Sequence, residues 1–193
     1  MNSHTKEILG SVLSVIGTIE AAIGSTPFKK INKDVSFDLR LTGNALQASG
    51  SALSADGQGS ISLEKLGDEI QAVGNSTVIG GLLLDLGDKK DQRLIITGNW
   101  LQALGSLVGL ADEFEDSTES GRAYNIIGNL LQGIGNSMQA VGGVEQLKQT
   151  IPKKPTFVSV GVVGSWIQAT GSVISLMGQI KEEIEEIELG INE

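Results

Sequence analysis

Gly128-Asn129-Leu130-Leu131-Gln132-Gly133-Ile134-Gly135-Asn136 is the stretch whose reading decides the fold, because the chain returns to it five more times. Gly43-Asn44-Ala45-Leu46-Gln47-Ala48-Ser49-Gly50-Ser51 is one copy, and Gly98-Asn99-Trp100-Leu101-Gln102-Ala103-Leu104-Gly105-Ser106 is another. Gly164-Ser165-Trp166-Ile167-Gln168-Ala169-Thr170-Gly171-Ser172 follows the same pattern. Gly67-Asp68-Glu69-Ile70-Gln71-Ala72-Val73-Gly74-Asn75 carries acids in its first half, and Gly10-Ser11-Val12-Leu13-Ser14-Val15-Ile16-Gly17-Thr18 has Ser14 in place of glutamine. The consensus is Gly-[Asn/Ser]-x-[Leu/Ile]-Gln-x-x-Gly-[Ser/Asn].

Glycines seven apart sit nearly two helical turns apart, so they line one stripe of a helix. The apolar residues keep the same period. Ile127, Leu131, Ile134, Met138 and Val141 step by four and three, as do Val163, Ile167, Thr170, Ile174 and Met177. That is a helical spacing, not an alternating one. Glycine within a helix costs about 1 kcal/mol against alanine. Its use at a fixed phase predicts close approach of two helix backbones through small residues. The predicted packing glycines are Gly43, Gly50, Gly67, Gly74, Gly98, Gly105, Gly128, Gly135, Gly164 and Gly171. One segment, Val35, Phe37, Leu39 and Leu41, does alternate and reads as a candidate strand.

On a helical wheel, glutamine falls beside the glycine stripe and Asn or Ser just beyond it. Leucine, isoleucine and tryptophan fill a wide arc on the other side. A helix this apolar is buried on more than one side or meets lipid. The expected fold is therefore all-α: an antiparallel bundle of about six helices built from internal repeats. The chain of 193 residues is long enough for one domain over 1–193, with 1–87 and 88–193 as candidate halves.

Helices are expected near 3–24, 37–55, 60–86, 88–111, 120–149 and 157–189. Ser62 is a candidate N-cap for the third and Asp88 or Asp91 for the fourth. The acidic run at 112–119 reads as a loop, and Ile151-Pro152-Lys153-Lys154-Pro155 as the clearest break. The last helix ends in a tail where Ile180, Ile184 and Ile187 share a face among five glutamates, which are expected to form a wet surface. Ile8 to Ile19 faintly resembles a signal-peptide core but reads as the first copy of the repeat.

Composition excludes several classes. There is no cysteine, so no disulfide frame and no thiolate chemistry. A net charge of −9 argues against nucleic acid and against charge-driven binding to anionic membranes. In an up-down bundle, ten Lys and Arg fall at the end holding the first, third and fifth connections, and four at the other. With the acids counted, the ends carry +3 and −12, a polarity that suits head-to-tail association or an oriented cationic partner.

No catalytic constellation is present in the sequence. The single histidine, His4, stands near the chain end, and no Gly-x-Ser-x-Gly elbow, Glu-x-x-His pair or Walker loop occurs. The acidic run does not fit a calcium-loop spacing, since Phe114 stands where a ligand belongs. Asn75-Ser76-Thr77 matches a glycosylation sequon by chance in mid-helix. No catalytic residue, metal ligand or cofactor is expected, and the chain is read as not an enzyme.

The repeated Gln47, Gln71, Gln102, Gln132 and Gln168 form the residues of interest. Their plain role is inter-helix hydrogen bonding near the carbonyls that glycine leaves bare. Their sharper role is to line a wet lumen or a polar recognition surface.

Two functions compete. The first is a cytoplasmic structural or interaction bundle whose partner is itself or another protein, with a homo-oligomer expected. The second is a membrane-inserting or pore-forming protein with an Asn/Gln/Ser-lined interior. Residues 94–111, 123–144 and 155–180 are uncharged for 18, 22 and 26 residues, long enough to span. The sorting of Lys and Arg also satisfies the positive-inside rule. Against insertion stand a mean hydropathy of +0.08 and first two helices that look too polar to insert unaided. Phrases such as Gly164-Ser165-Trp166-Ile167-Gln168-Ala169-Thr170-Gly171 resemble a family of uncharacterised repetitive proteins from Bacillus-type bacteria. The resemblance implies a bacterial, non-enzymatic protein and no functional residues.

Overall fold

Three helix starts are fixed by a side chain that accepts from an otherwise unpaired backbone N–H. Asn2 Oδ1 accepts from Thr5 N at 2.9 Å, Asn32 Oδ1 from Val35 N at 2.8 Å, and Ser62 Oγ from Lys65 N at 3.0 Å. They open α1 (Ser3–Ser25), α2 (Lys33–Gly57) and α3 (Leu63–Leu83). Helices α4 (Asp88–Asp112), α5 (Arg122–Lys148) and α6 (Val160–Leu189) complete the chain. The computed structural model describes residues 1–114, 121–149, 156 and 158–190. The expected break at 151–155 and residues 115–119 of the acidic run lie outside them.

Two expectations are corrected. Val35, Phe37, Leu39 and Leu41 lie inside α2 and form no strand. The Asn32 cap starts a helix at Lys33, two residues before Val35, and local alternation does not override it. Nor do Asp88 and Asp91 cap α4. The cap position is Gly87, at φ 102°, a conformation that favours glycine. Asp88 is already helical, and Asp91 Oδ1 accepts from Leu86 N at 3.0 Å.

Each helix packs on its neighbours in sequence, and α6 returns to α1, so the six close into a ring. Within the ring α1/α2, α3/α4 and α5/α6 are the tightest pairs. The turn at Gly87 therefore joins the two members of one tight hairpin. Glycine sets the closeness. A Cβ on Gly43 would lie 2.6 Å from Gly17 O, on Gly98 2.5 Å from Gly74 O, and on Gly164 2.6 Å from Gly135 O. In each case the obstacle is facing backbone, which cannot rotate away.

The core is made of unusual material. The largest fully buried side chains among the described residues are Glu183, Asn75, Asn136, Thr18, Ser106 and Ser165. Buried apolar residues are mostly alanines, with Val78, Ile96 and Val162. The bulky ones face out: Ile134 is 43% exposed, Trp100 46% and Leu107 50%, joined by Ile16, Ile127, Leu130, Trp166 and Val173. The polar stripe lies inside the ring and much of the apolar arc outside it.

Candidate functional site

The glycine register places the glutamines. In α3/α4, a Cβ on Gly74 would lie 2.9 Å from Gln102 N, and one on Gly105 3.0 Å from Gln71 N. The same reciprocal pair recurs in α5/α6, where Gly135 faces Gln168 and Gly171 faces Gln132 at 2.5 and 2.8 Å from their backbone nitrogens. In α1/α2, Gly17 faces Gln47 and Gly50 faces Ser14, each 2.9 Å from the backbone nitrogen. The six equivalent positions thus form one belt around the ring. Gly67 and Gly128 continue the register one step toward the chain termini, at 2.8 Å from Gly105 O and 2.7 Å from Ser175 N.

Helix polarity then splits the belt. Every Cα–Cβ bond leans toward its helix N-terminus. Even-numbered helices start at the end where the hairpins turn, so Gln47, Gln102 and Gln168 lean that way. Odd-numbered helices start at the opposite end, so Ser14, Gln71 and Gln132 lean toward it. Two cavities lie on the two sides. One, of about 260 Å³, has Gln47, Gln102 and Gln168 in its wall together with Asn44, Asn99 and Arg40. The other, of about 70 Å³, is lined by Ser14, Gln71, Gln132, Glu64 and Asp68 among others. All six helices contribute to each, so both are axial.

Between them the three even-helix glutamines meet. Gln168 Nε2 donates to Gln47 Oε1 at 2.9 Å and to Gln102 Oε1 at 3.3 Å. Gln139 Nε2 donates to Gln168 Oε1 at 2.8 Å. Each of the three is at most 5% exposed. Gln47 also donates to Gly43 O of its own helix at 3.2 Å, one turn back. On the far side Gln132 Nε2 donates to Ser175 Oγ at 2.9 Å, and Ser172 Oγ donates to Gln132 Oε1 at 3.4 Å. Gln71 lines the smaller cavity without a side-chain bond to the other glutamines.

The terminal end of the ring is acidic and closed by side chains that sequence reasoning missed. His4 Nδ1 pairs with Glu183 Oε2, both buried, and Glu183 is 1% exposed. Gln179 Nε2 donates to Glu183 Oε1 at 2.8 Å and to Glu7 Oε2 at 3.4 Å. Asn125 Nδ2 donates to Glu182 Oε2 at 2.8 Å. This corrects the reading of the tail as a wet glutamate face at Glu183, while Glu188 is exposed as expected. Glu183 points into the ring, while Ile180, Ile184 and Ile187 point out. At the other end Trp166 Nε1 donates to Thr26 Oγ1 at 2.9 Å, tying α6 to the end of α1.

Among the described residues, no group of three or more His, Asp or Glu is arranged to hold a metal ion. Three helices are long and apolar enough to cross a membrane: α1, α4 and α6 over Val160–Glu185. This corrects the impression that α1 is too polar. It also removes α5, where Asn125, Asn129, Gln132, Asn136 and Gln139 dilute the uncharged run at 123–144.

Residues 5–176 match the model of a family of unknown function, DUF6944, and the chain belongs to that family. No curated protein and no solved structure matches.

Proposed function

We propose that the chain is a non-enzymatic membrane protein, a six-helix ring that seats its apolar outside in lipid around a polar axis. The inversion of the core carries this. In water, eight bulky apolar side chains left half-exposed forgo on the order of 10 kcal/mol of burial. That is comparable with the whole stability of a domain, about 5–15 kcal/mol. In lipid the same surface costs nothing, and the buried amides and hydroxyls stay bonded to each other. The sorting of Lys and Arg, ten to four, orients the hairpin turns toward the cytoplasm and both termini away from it. On this reading the chain sits in a membrane, for which α1, α4 and α6 are long and apolar enough.

One observation favours a second reading, a soluble self-associating bundle. The outer face of α2 carries Asp38, Thr42, Ala45, Ser49, Ala52 and Asp56, which suit water or another protein better than lipid. Copies would then cover each other's apolar faces on α4, α5 and α6. The repeat copies all fall within the matched residues, which supports reading the family as glycine/glutamine repeat proteins. A bacterial source rests on the resemblance alone.

Fractionation of cells expressing the protein separates the readings. Recovery in the membrane fraction, released by detergent but not by alkaline carbonate or high salt, is the expected result. A soluble species whose mass is a multiple of 20.2 kDa would establish the second reading. A soluble monomer would refute both.

A further inference from the structure

We infer that the axis of the ring is a permeation path for small uncharged polar solutes of the glycerol and urea kind, gated by the amides of Gln47, Gln102 and Gln168. This rests on the membrane reading. Both cavities are lined by all six helices, and the three amides stand between them, hydrogen-bonded through Gln168. At the wall of the larger cavity the three amides close across the axis through two hydrogen bonds between neutral side chains.

The chemistry at the gate names the solute class. A primary amide offers two donors and an acceptor and no charge. Three of them can exchange their mutual bonds for bonds to a hydroxyl or amide passing between them. An ion would have to shed its water shell against neutral amides, and a cation would also have to pass the guanidinium of Arg40. Arg40 lines the cavity on the turn side, which repels cations. On the terminal side burial raises the carboxyls of Glu64 and Asp68, Asp68 to about 7, so they offer hydrogen bonds to a polar solute more than a fixed charge. A neutral solute meets neither penalty. Gln139 holds Gln168 at 2.8 Å, so one side of the gate is tied between α5 and α6, and its acceptors are Gln47 on α2 and Gln102 on α4.

The test uses the full chain in liposomes of neutral phospholipid. Flotation on a density gradient establishes incorporation first. A protein that stays at the bottom overturns the membrane reading, and the inference falls with it. For vesicles that float, stopped-flow light scattering after a glycerol or urea jump gives solute entry, and a potassium-sensitive dye gives ion leak. Wild-type vesicles should admit glycerol and urea faster than empty ones and hold potassium. Gln168→Ala deletes both gate bonds and should speed entry about tenfold, a barrier lower by about 1.4 kcal/mol. Gln102→Ala, which removes one bond and leaves Gln139 and Gln168 paired, is the second variant and should speed entry less. Thr170→Ala, exposed on the outside of α6, should match wild type. Floating vesicles in which wild type and both gate variants admit solute no faster than empty ones would overturn the inference. So would potassium leak through the wild-type protein.

Discussion

Gly133 and Gly135 lie two residues apart in α5 and should respond to alanine with opposite sign. A Cβ on Gly133 would meet Leu107 Cδ2 and Ser106 Cβ at 3.7 Å, ordinary contact across the α4/α5 interface. A Cβ on Gly135 would lie 2.5 Å from Gln168 N and 2.6 Å from Gly164 O, both backbone atoms of α6. Both substitutions gain helix propensity, about 1 kcal/mol each. At Gly133 nothing opposes the gain, and the variant should be stabilised by about 0.5–1 kcal/mol. At Gly135 the whole of α6 must retreat, because the obstructing atoms cannot change rotamer. Overpacking of this kind costs about 1–3 kcal/mol or more, so the net effect is destabilising. The two variants should differ by about 1–3 kcal/mol, or about 2–12 °C in melting temperature for a chain of this size. Thermal melts followed by circular dichroism in one mild detergent measure it. If Gly135→Ala melts at or above Gly133→Ala, the hairpins are not held at backbone contact and the glycine register described above is wrong. Gly135→Leu, with three further carbons to place, should melt lowest of all.

Three other outcomes follow. Glu183→Ala removes a buried acceptor shared by His4 and Gln179 and should cost about 1–3 kcal/mol; hydrogen exchange should quicken in the first turns of α1 and not at its middle. Ser62→Ala removes the cap that accepts from Lys65 N and should cost about 1 kcal/mol in denaturant unfolding. Ile134→Lys puts a charge on the outside of α5 at mid-helix, where insertion into lipid is penalised by about 2.5–3.5 kcal/mol; the protein should shift from the membrane to the soluble or aggregated fraction, whereas Thr42→Lys on α2 should shift less.

The period of the repeat made the six helices legible, and the glycines marked which faces would come closest. What the period could not supply was sign. A helical wheel gives the direction in which polarity changes, but an apolar stripe facing a core in water and one facing lipid around a polar core have the same period. Gln132 and Ile134 show the consequence within one copy. Read against water, Ile134 belongs inside with Ile127 and Val141; in the ring Gln132 is buried and those three are exposed. The same inversion turns the tail over, so that Glu183 lies inside and Ile184 outside.

The other missing quantity was height along the axis. Sequence alone places each glutamine four residues after a glycine but cannot say that antiparallel partners bring all of them to one level. That follows from the reciprocal contacts of Gly74 with Gln102 and Gly105 with Gln71, repeated in the other two hairpins. Once the level is shared, chain direction alone decides which way each amide leans. Three glutamines from alternate helices then lean the same way, close enough to bond across the axis. In the odd-numbered set one position is Ser14, whose hydroxyl is too short to reach the axis, so on that side no three-amide closure can form. The asymmetry of the gate is thus traceable to one departure from the repeat. Ser14→Gln should supply the third amide and slow solute entry in the flux assay. An unchanged rate in a correctly folded Ser14→Gln protein would mean that the constriction is not set by the glutamine belt.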